Sequence, residues 1–367
     1  MYKKFVMCIA AMAALTLVSC SSDDLDSVSD NSSKNEAISF DGYLGRSAVA
    51  VNGTRGSVET VDNLKTDGFG VFGNYSATES ENSTFGTNLF NNVKVTGTTS
   101  TEGTNNVTKW TYGDVKYWPT KGQIDFLAYA PHETEKTLTN TSCIDFTVGT
   151  KAADQKDLLW ANAKKQTIKT IANNDNKVKF HFAHALSRLG YSVKLKEKCS
   201  SDATIKLNKI TLAGSATEPT TGAFYPKGTI DLSKTSPEDP WTSKENVANS
   251  KLKFDWDYNS NPLVLSEVKK ENADNEYLFV IPQNFSGADQ LYVIVEYTMQ
   301  YTDVKGSDGQ PAIITNTVHK KLTQDFKQGK AYTINLTIGR PIEFDADVTP
   351  WVDDTNTNTD INIDSWE

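Results

Sequence analysis

The stretch Lys177-Val178-Lys179-Phe180-His181-Phe182 alternates polar and apolar side chains without a break. In an extended chain this puts Val178, Phe180 and Phe182 on one face and Lys177, Lys179 and His181 on the other, a division that no α-helix makes. The same period of two recurs between turn-rich gaps. Ile38, Phe40 and Leu44 share a face in Ala37–Leu44, and Phe69, Val71 and Tyr75 share one in Phe69–Tyr75. Ile124–Ala130 is a dense apolar run closed by Pro131, and Leu189–Leu195 continues the pattern. After a Lys/Ser/Asp break near residues 196–203 a second series begins with Ile205, Leu207 and Ile210–Leu212. It runs on through Tyr277–Ile281, Leu291–Tyr301, Ile313–Leu322, Ala331–Ile338 and Ile342–Val348, with Asp308-Gly309 suited to a turn between two of the runs. One short segment, Phe182–Leu189, reads as a helical connector. Abundant Thr, Val and aromatic residues favour strands. The length of 367 residues suits about two ordinary domains. The expected fold is all-β, two tandem antiparallel β-sandwich domains over residues 37–200 and 201–367.

The start of the chain belongs to neither sandwich. Lys3 and Lys4 precede an apolar run from Phe5 to Val18, and small residues follow. That order predicts a secretory signal peptide over residues 1–19, too short to span a bilayer, which takes roughly 20 residues. Leu17-Val18-Ser19-Cys20 resembles the lipobox of bacterial lipoproteins. The resemblance implies cleavage before Cys20 and acylation of its sulfur and new amine, with each buried CH₂ contributing about 0.8 kcal/mol to anchoring. Residues 20–36, rich in Ser, Asp and Asn, read as a polar tether without a core. Ser21-Ser22-Asp23-Asp24 fits a solvated tether, and it also looks like the acidic tag that sends some lipoproteins to the cell surface.

Net charge is −9, and −11 once Lys3 and Lys4 leave with the signal. With no basic block, nucleic acid is not an expected partner. Cys8 leaves with the signal and Cys20 is the lipidation candidate, so Cys143 and Cys199 remain, too few for a disulfide framework in a chain this long. They are read as free or structural thiols, with pairing left open.

Sites of chemistry are sparse. Gly68-Phe69-Gly70-Val71-Phe72-Gly73 matches a dinucleotide fingerprint in letters, but apolar residues interleave the glycines and no helix start follows, so a Gly-containing strand is the better reading. His181 and His184 stand three apart without the ligand partners of a zinc site. No G-x-S-x-G elbow occurs. Asp354, Asn356 and Asn358 begin like a calcium loop, but Thr359 stands where a Gly is needed and Ser365 where a bidentate Glu is needed. The tail reads better as a strand, with Thr355, Thr357, Thr359, Ile361 and Ile363 on one face, or as a solvated end. No cofactor, metal or enzymatic activity is expected.

Several segments then occur in a telling order: "AISF", "VNGTRGS", "FGVFGNYS", "VKYWPTKGQIDFLAYAP", "VKFHFAHALSRLGYSVKL", "YLFVIPQNFSG", "GKAYTINLTIG" and "PIEFDADVTPW". Behind a lipobox, this set resembles the fimbrillin family, lipoprotein precursors of fimbrial subunits in Gram-negative anaerobes. The resemblance implies two transthyretin-like sandwiches and a fimbrial structural subunit or fimbria-associated adhesin at the outer membrane and cell surface. It implies other fimbrial subunits as partners, an Arg-specific processing protease, and a target of adhesion that the sequence does not name. Ala37–Leu44 matches the strand that processing removes. Arg55 in Gly53-Thr54-Arg55-Gly56 is the expected cut and Arg46 the alternative, both near the Gly and Ser residues of exposed loops, where proteolysis concentrates. The vacated groove would take a strand from another subunit, for which the tail is a candidate. The competing expectation is a surface lipoprotein that never polymerises and binds glycans or host proteins through Trp110, Trp118, Trp160, Trp241 or Trp256.

Overall fold

The structure, a computed structural model, describes residues 36–44, 59–79, 84–102, 105–197, 203–339 and 344–350. The early strands are β1 Phe40–Leu44, β2 Phe69–Ser76, β3 Phe90–Glu102, β4 Asn105–Thr111, β5 Gln123–Ala130, β6 Cys143–Thr147 and β7 Leu159–Gln166. Next come β8 Val178–His184, β9 Ser187–Leu195, β10 Ala203–Ala213, β11 Lys227–Asp231, β12 Trp241–Lys244, β13 Phe254–Asp257 and β14 Leu263–Val264. The last are β15 Lys270–Glu271, β16 Leu278–Val280, β17 Leu291–Lys305, β18 Pro311–Leu322, β19 Ala331–Ile338 and β20 Phe344–Pro350. Two short helices, α1 Val61–Asp67 and α2 Ile168–Ile171, are described beside them. The fold is all-β, as the alternation predicts.

Four sheets form. The largest runs β1-β8-β7-β5-β2-β3-β4; a second is β13-β10-β17-β18 with β14 on β10; a third is β12-β11-β6; a fourth is β15-β9-β19-β20 with β16 on β9. Most neighbours are antiparallel, but β1 with β8 and β19 with β9 run parallel. The side-chain period is two in either case, so alternation alone does not distinguish them. Asp308-Gly309 does turn the β17–β18 hairpin, with Gly309 at φ 76°, where a glycine carries no Cβ penalty.

Two hydrophobic cores hold the sheets. One gathers Phe40, Leu64, Phe69, Phe90, Trp118, Phe126 and Phe180 against one face of the seven-stranded sheet. The other joins Phe72, Leu127, Tyr129 and Trp160, on the opposite face, to Tyr191, Leu207, Trp256, Val293 and Ile334. β5 is therefore covered on both sides, and every one of its residues is buried. This is why Ile124–Ala130 reads as a continuous apolar run rather than an alternating one.

One expectation changes here. Phe182–Leu189 is not a helix: it is the end of β8, a bend and the start of β9. Phe182, Ala185, Leu186 and Leu189 carry helical spacing and all are buried, but the segment is too short to stabilise a helix alone. Strand-type bonds take its backbone instead, Ala185 N–H to Leu158 O at 2.8 Å and Gly329 N–H to Leu186 O at 2.9 Å. In addition β9, which precedes the break near residues 196–203, hydrogen-bonds to β15, β16 and β19 from beyond it.

Candidate assembly site

The first described segment is inserted between two others. Residues 40–44 pair parallel with β8, Phe40 opposite Val178 and Leu44 opposite Phe182, and Val178 N–H donates to Ser39 O at 2.8 Å. On the other side, Ile38 N–H donates to Lys116 O at 2.8 Å and Trp118 N–H to Glu36 O at 2.9 Å. The Tyr112 hydroxyl donates to Ile38 O at 2.7 Å.

The alternation read in the sequence gives this strand a core face and a solvent face. Ile38, Phe40 and Leu44 are buried, while Tyr43 is 53% exposed and meets the His181 ring edge-on at 5.4 Å between centroids. The Phe40 ring sits 5.3–5.7 Å from the rings of Phe90, Tyr112, Phe126 and Phe180. Burying each such side chain contributes about 1.5–3 kcal/mol, so removing the strand would bare an aromatic trough of comparable worth. It would also leave the β8 edge with unpaired N–H and C=O groups, a template for another strand. Two further positions shape the seat. Trp110 Nε1 donates to Asp41 Oδ1 at 2.9 Å. At Gly42 an added Cβ would lie 3.1 Å from a Phe69 ring atom and 3.2 Å from Trp110.

The chain next enters the described structure at Glu59, directly before Thr60, whose side chain caps α1 by accepting from Asn63 N–H. Glu59 is buried, and its N–H donates to Asp157 Oδ2 at 3.0 Å. His184 Nδ1 bonds the same carboxylate oxygen at 2.8 Å, tying this re-entry point to the end of β8. Burial, and then the negative charges of Asp157 and Asp67, raise the Glu59 carboxyl to a pKa of about 8. Glu59, Asp67 and Asp157 line a cleft of about 630 Å³ that Lys94 and His132 also border.

The sequence-predicted sites fall on either side of this geometry. Cys20, Arg46 and Arg55 lie outside the described residues, as do Cys199, Trp351 and the tail 351–367. Cys143 is a buried thiol on β6. His181 and His184 belong to one strand, and among the described residues no group of His, Cys, Asp or Glu is arranged to hold a metal. Trp118, Trp160, Trp241 and Trp256 are buried in the cores, and Trp110 is half-buried against Phe69 and Asp41. Sequence reading passed over Glu59, Asp157 and Gly42, and took Trp110 only as a candidate sugar platform. Their partners lie 98 and 69 residues away along the chain, beyond any local pattern.

Residues 54–366 match the fimbrillin-like family. The chain belongs to that family. Membership makes it a fimbrial or adhesion-related surface protein. No curated protein matches this fimbrillin-like chain. Among solved structures it resembles a fimbrial protein from Bacteroides vulgatus ATCC 8482, with a TM-score of 0.58 and 22% identity over 86% of this chain and 99% of that one. A protein described as a cell-adhesion candidate from Bacteroides uniformis ATCC 8492 gives 0.46 and 16%, over 86% of this chain and 98% of that one. The tip fimbrial protein Mfa3 from Porphyromonas gingivalis gives 0.29 and 11%, over 77% of this chain and 98% of that one. The first likeness is one of fold.

Proposed function

We propose that this fimbrillin-like chain is a structural subunit of surface fimbriae, or an adhesin attached to them, that joins other subunits by exchanging its first strand. It is exported as a lipoprotein held at the outer membrane through Cys20. A protease cuts after Arg55, or after Arg46, and residues 36–44 leave. A strand from another subunit then fills the seat.

The observation that carries this reading is the contrast between β1 and its connection. The strand is built into an aromatic core by Ile38, Phe40 and Leu44, yet among the described strands it sits at the sheet's edge beside β8, and it lies N-terminal to both arginines. A cut beyond it removes a plug without touching the strands that form the walls. The Glu59–Asp157–His184 contact supports the reading, because it fixes the chain just past Arg55. The walls thereby keep their anchor after the cut.

N-terminal sequencing and mass spectrometry of polymer sheared from the cell surface test the proposal. The expected mature start is Gly56, or Ser47 for the alternative cut. A start at acylated Cys20 in polymerised material would sink the processing step.

A further inference from the structure

The cleft beside the re-entry point is graded in charge. Its floor holds two buried carboxyl groups, Glu59 at 5% exposure and Asp157 at 3%. Its rim adds two exposed ones, Asp67 at the end of α1 and Asp154 in the turn before β7. Three basic side chains also line it, and two of them do little to offset the carboxyl groups. Lys156 is paired with Glu133 Oε1 at 3.8 Å. Burial above all holds the His132 ring below its ordinary pKa, so it is neutral at pH 7. Lys94 on β3 then stands against four carboxyl groups.

Charge alone would describe a solvated acidic surface. The second observation is at Glu59, whose buried Oε1 meets no hydrogen-bond donor. A buried carboxyl oxygen ordinarily accepts at least one bond, and leaving it without one costs the desolvation of the group. Asp157 brings no relief, because it is an acceptor too. The two bonds it accepts, from Glu59 N–H at 3.0 Å and His184 Nδ1 at 2.8 Å, fall on one oxygen, Oδ2. What the floor lacks is a donor that carries positive charge.

We propose that this cleft binds a primary ammonium group, which donates to Glu59 Oε1 and to the Asp157 carboxylate while Asp67 and Asp154 attract it from the rim. An ammonium brings three N–H donors and no acceptor, the complement of that floor. At about 630 Å³ the cleft is far larger than a bare metal ion and has room for the carbon chain behind the nitrogen. A lysine side chain of another protein and a free alkyl amine both offer this chemistry. The inference does not depend on strand exchange, since none of these groups belongs to the seat of residues 36–44.

Binding also moves a proton. Burial, and then Asp157 and Asp67, keep Glu59 as the acid at pH 7. The ammonium pairs with the carboxylate, so Glu59 gives its proton to solvent as the complex forms, about one proton per site at pH 7. His184 and the charged groups named above face the same carboxyl, and Glu59→Gln isolates its share.

The test uses the full chain and four probes at constant ionic strength: methylammonium, tetramethylammonium, which has the charge but no N–H, Nα-acetyl-lysine amide, and calcium. Calorimetry in two buffers of different protonation heat reads affinity and proton release together. Methylammonium should bind with release of about one proton at pH 7, and its affinity should rise roughly tenfold from pH 6 to pH 7. Glu59→Gln should bind it roughly tenfold more weakly at pH 8 and release no proton. The proton count in the wild type reads the same site without any substitution. Tighter binding of the lysine amide than of methylammonium assigns the site to a protein lysine, and weaker or equal binding assigns it to a small amine. Equal binding of tetramethylammonium overturns the proposal, because attraction of bulk charge then accounts for it. Calcium binding without ammonium binding, an unchanged affinity in Glu59→Gln, or no binding at all overturns it as well.

Discussion

Glu59 combines three features that rarely coincide in a stable side chain. It is buried, its Oε1 has no hydrogen-bond partner, and it faces the negative charges of Asp157 and Asp67. The folded chain therefore favours the protonated acid, with the pKa raised from 4.5 to about 8. In the unfolded chain the group ionises near its ordinary value, so its contribution is fully present below about pH 4.5 and is lost as pH rises to about 8. The loss is on the order of a few kcal/mol. Glu59→Gln keeps the shape and removes the titration. Urea unfolding at pH 5 and pH 8 should show the wild type losing stability across that interval. The variant should lose less and be the more stable of the two at pH 8. Parallel pH profiles for both proteins would show that Glu59 is not the group responsible.

At the scale of a single element, β1 is held by side chains rather than by its covalent link. Ile38, Phe40 and Leu44 each contribute about 1.5–3 kcal/mol of burial, and hydrogen bonds flank residues 36–44 on both sides. Cutting the chain after Arg55 should therefore leave the N-terminal peptide seated in the folded protein. At concentrations too low for polymer to form, size-exclusion chromatography with mass spectrometry of the nicked chain should find both pieces in one peak; at higher concentration the peptide should leave as a strand from another copy displaces it. Phe40→Ala removes a ring that touches four others and should cost about 3–5 kcal/mol, releasing the peptide at much lower denaturant. Immediate loss of the peptide from the unmutated nicked chain would contradict this account. The core face of the strand was legible in the sequence because burial follows the period of two. Its neighbour was not, because β1 pairs with residues far along the chain and a parallel partner leaves no hairpin signature. Likewise Phe182–Leu189 showed helical spacing because both ends of a strand–bend–strand corner face a core, and local period does not reveal which backbone bonds form. The calcium-like spacing of Asp354, Asn356 and Asn358 is a related ambiguity, since ligands at alternate positions and one face of a strand share a period.

For the whole molecule, charge sets the cost of bringing copies together. The chain carries −9 overall, and it stays negative after residues 1–55 are removed. Two such copies repel at long range, although the trough that another copy's strand would fill is lined by apolar side chains such as Phe90, Phe126 and Phe180. Long-range repulsion is screened over a Debye length that falls from about 30 Å at 0.01 M salt to about 8 Å at 0.15 M. Trough burial is not weakened by salt. Polymer growth after the cut should therefore accelerate as ionic strength rises through this range, with the change in the association rate rather than in the stability of finished polymer. Light scattering of freshly cut protein at several salt concentrations measures the rate, and resistance of preformed polymer to dilution measures the stability. If growth slowed with salt, the encounter would be governed by attraction between opposite charges, and a basic surface on one face would have to meet an acidic one on another. An assembly of apolar strand and aromatic trough predicts the reverse order of rates.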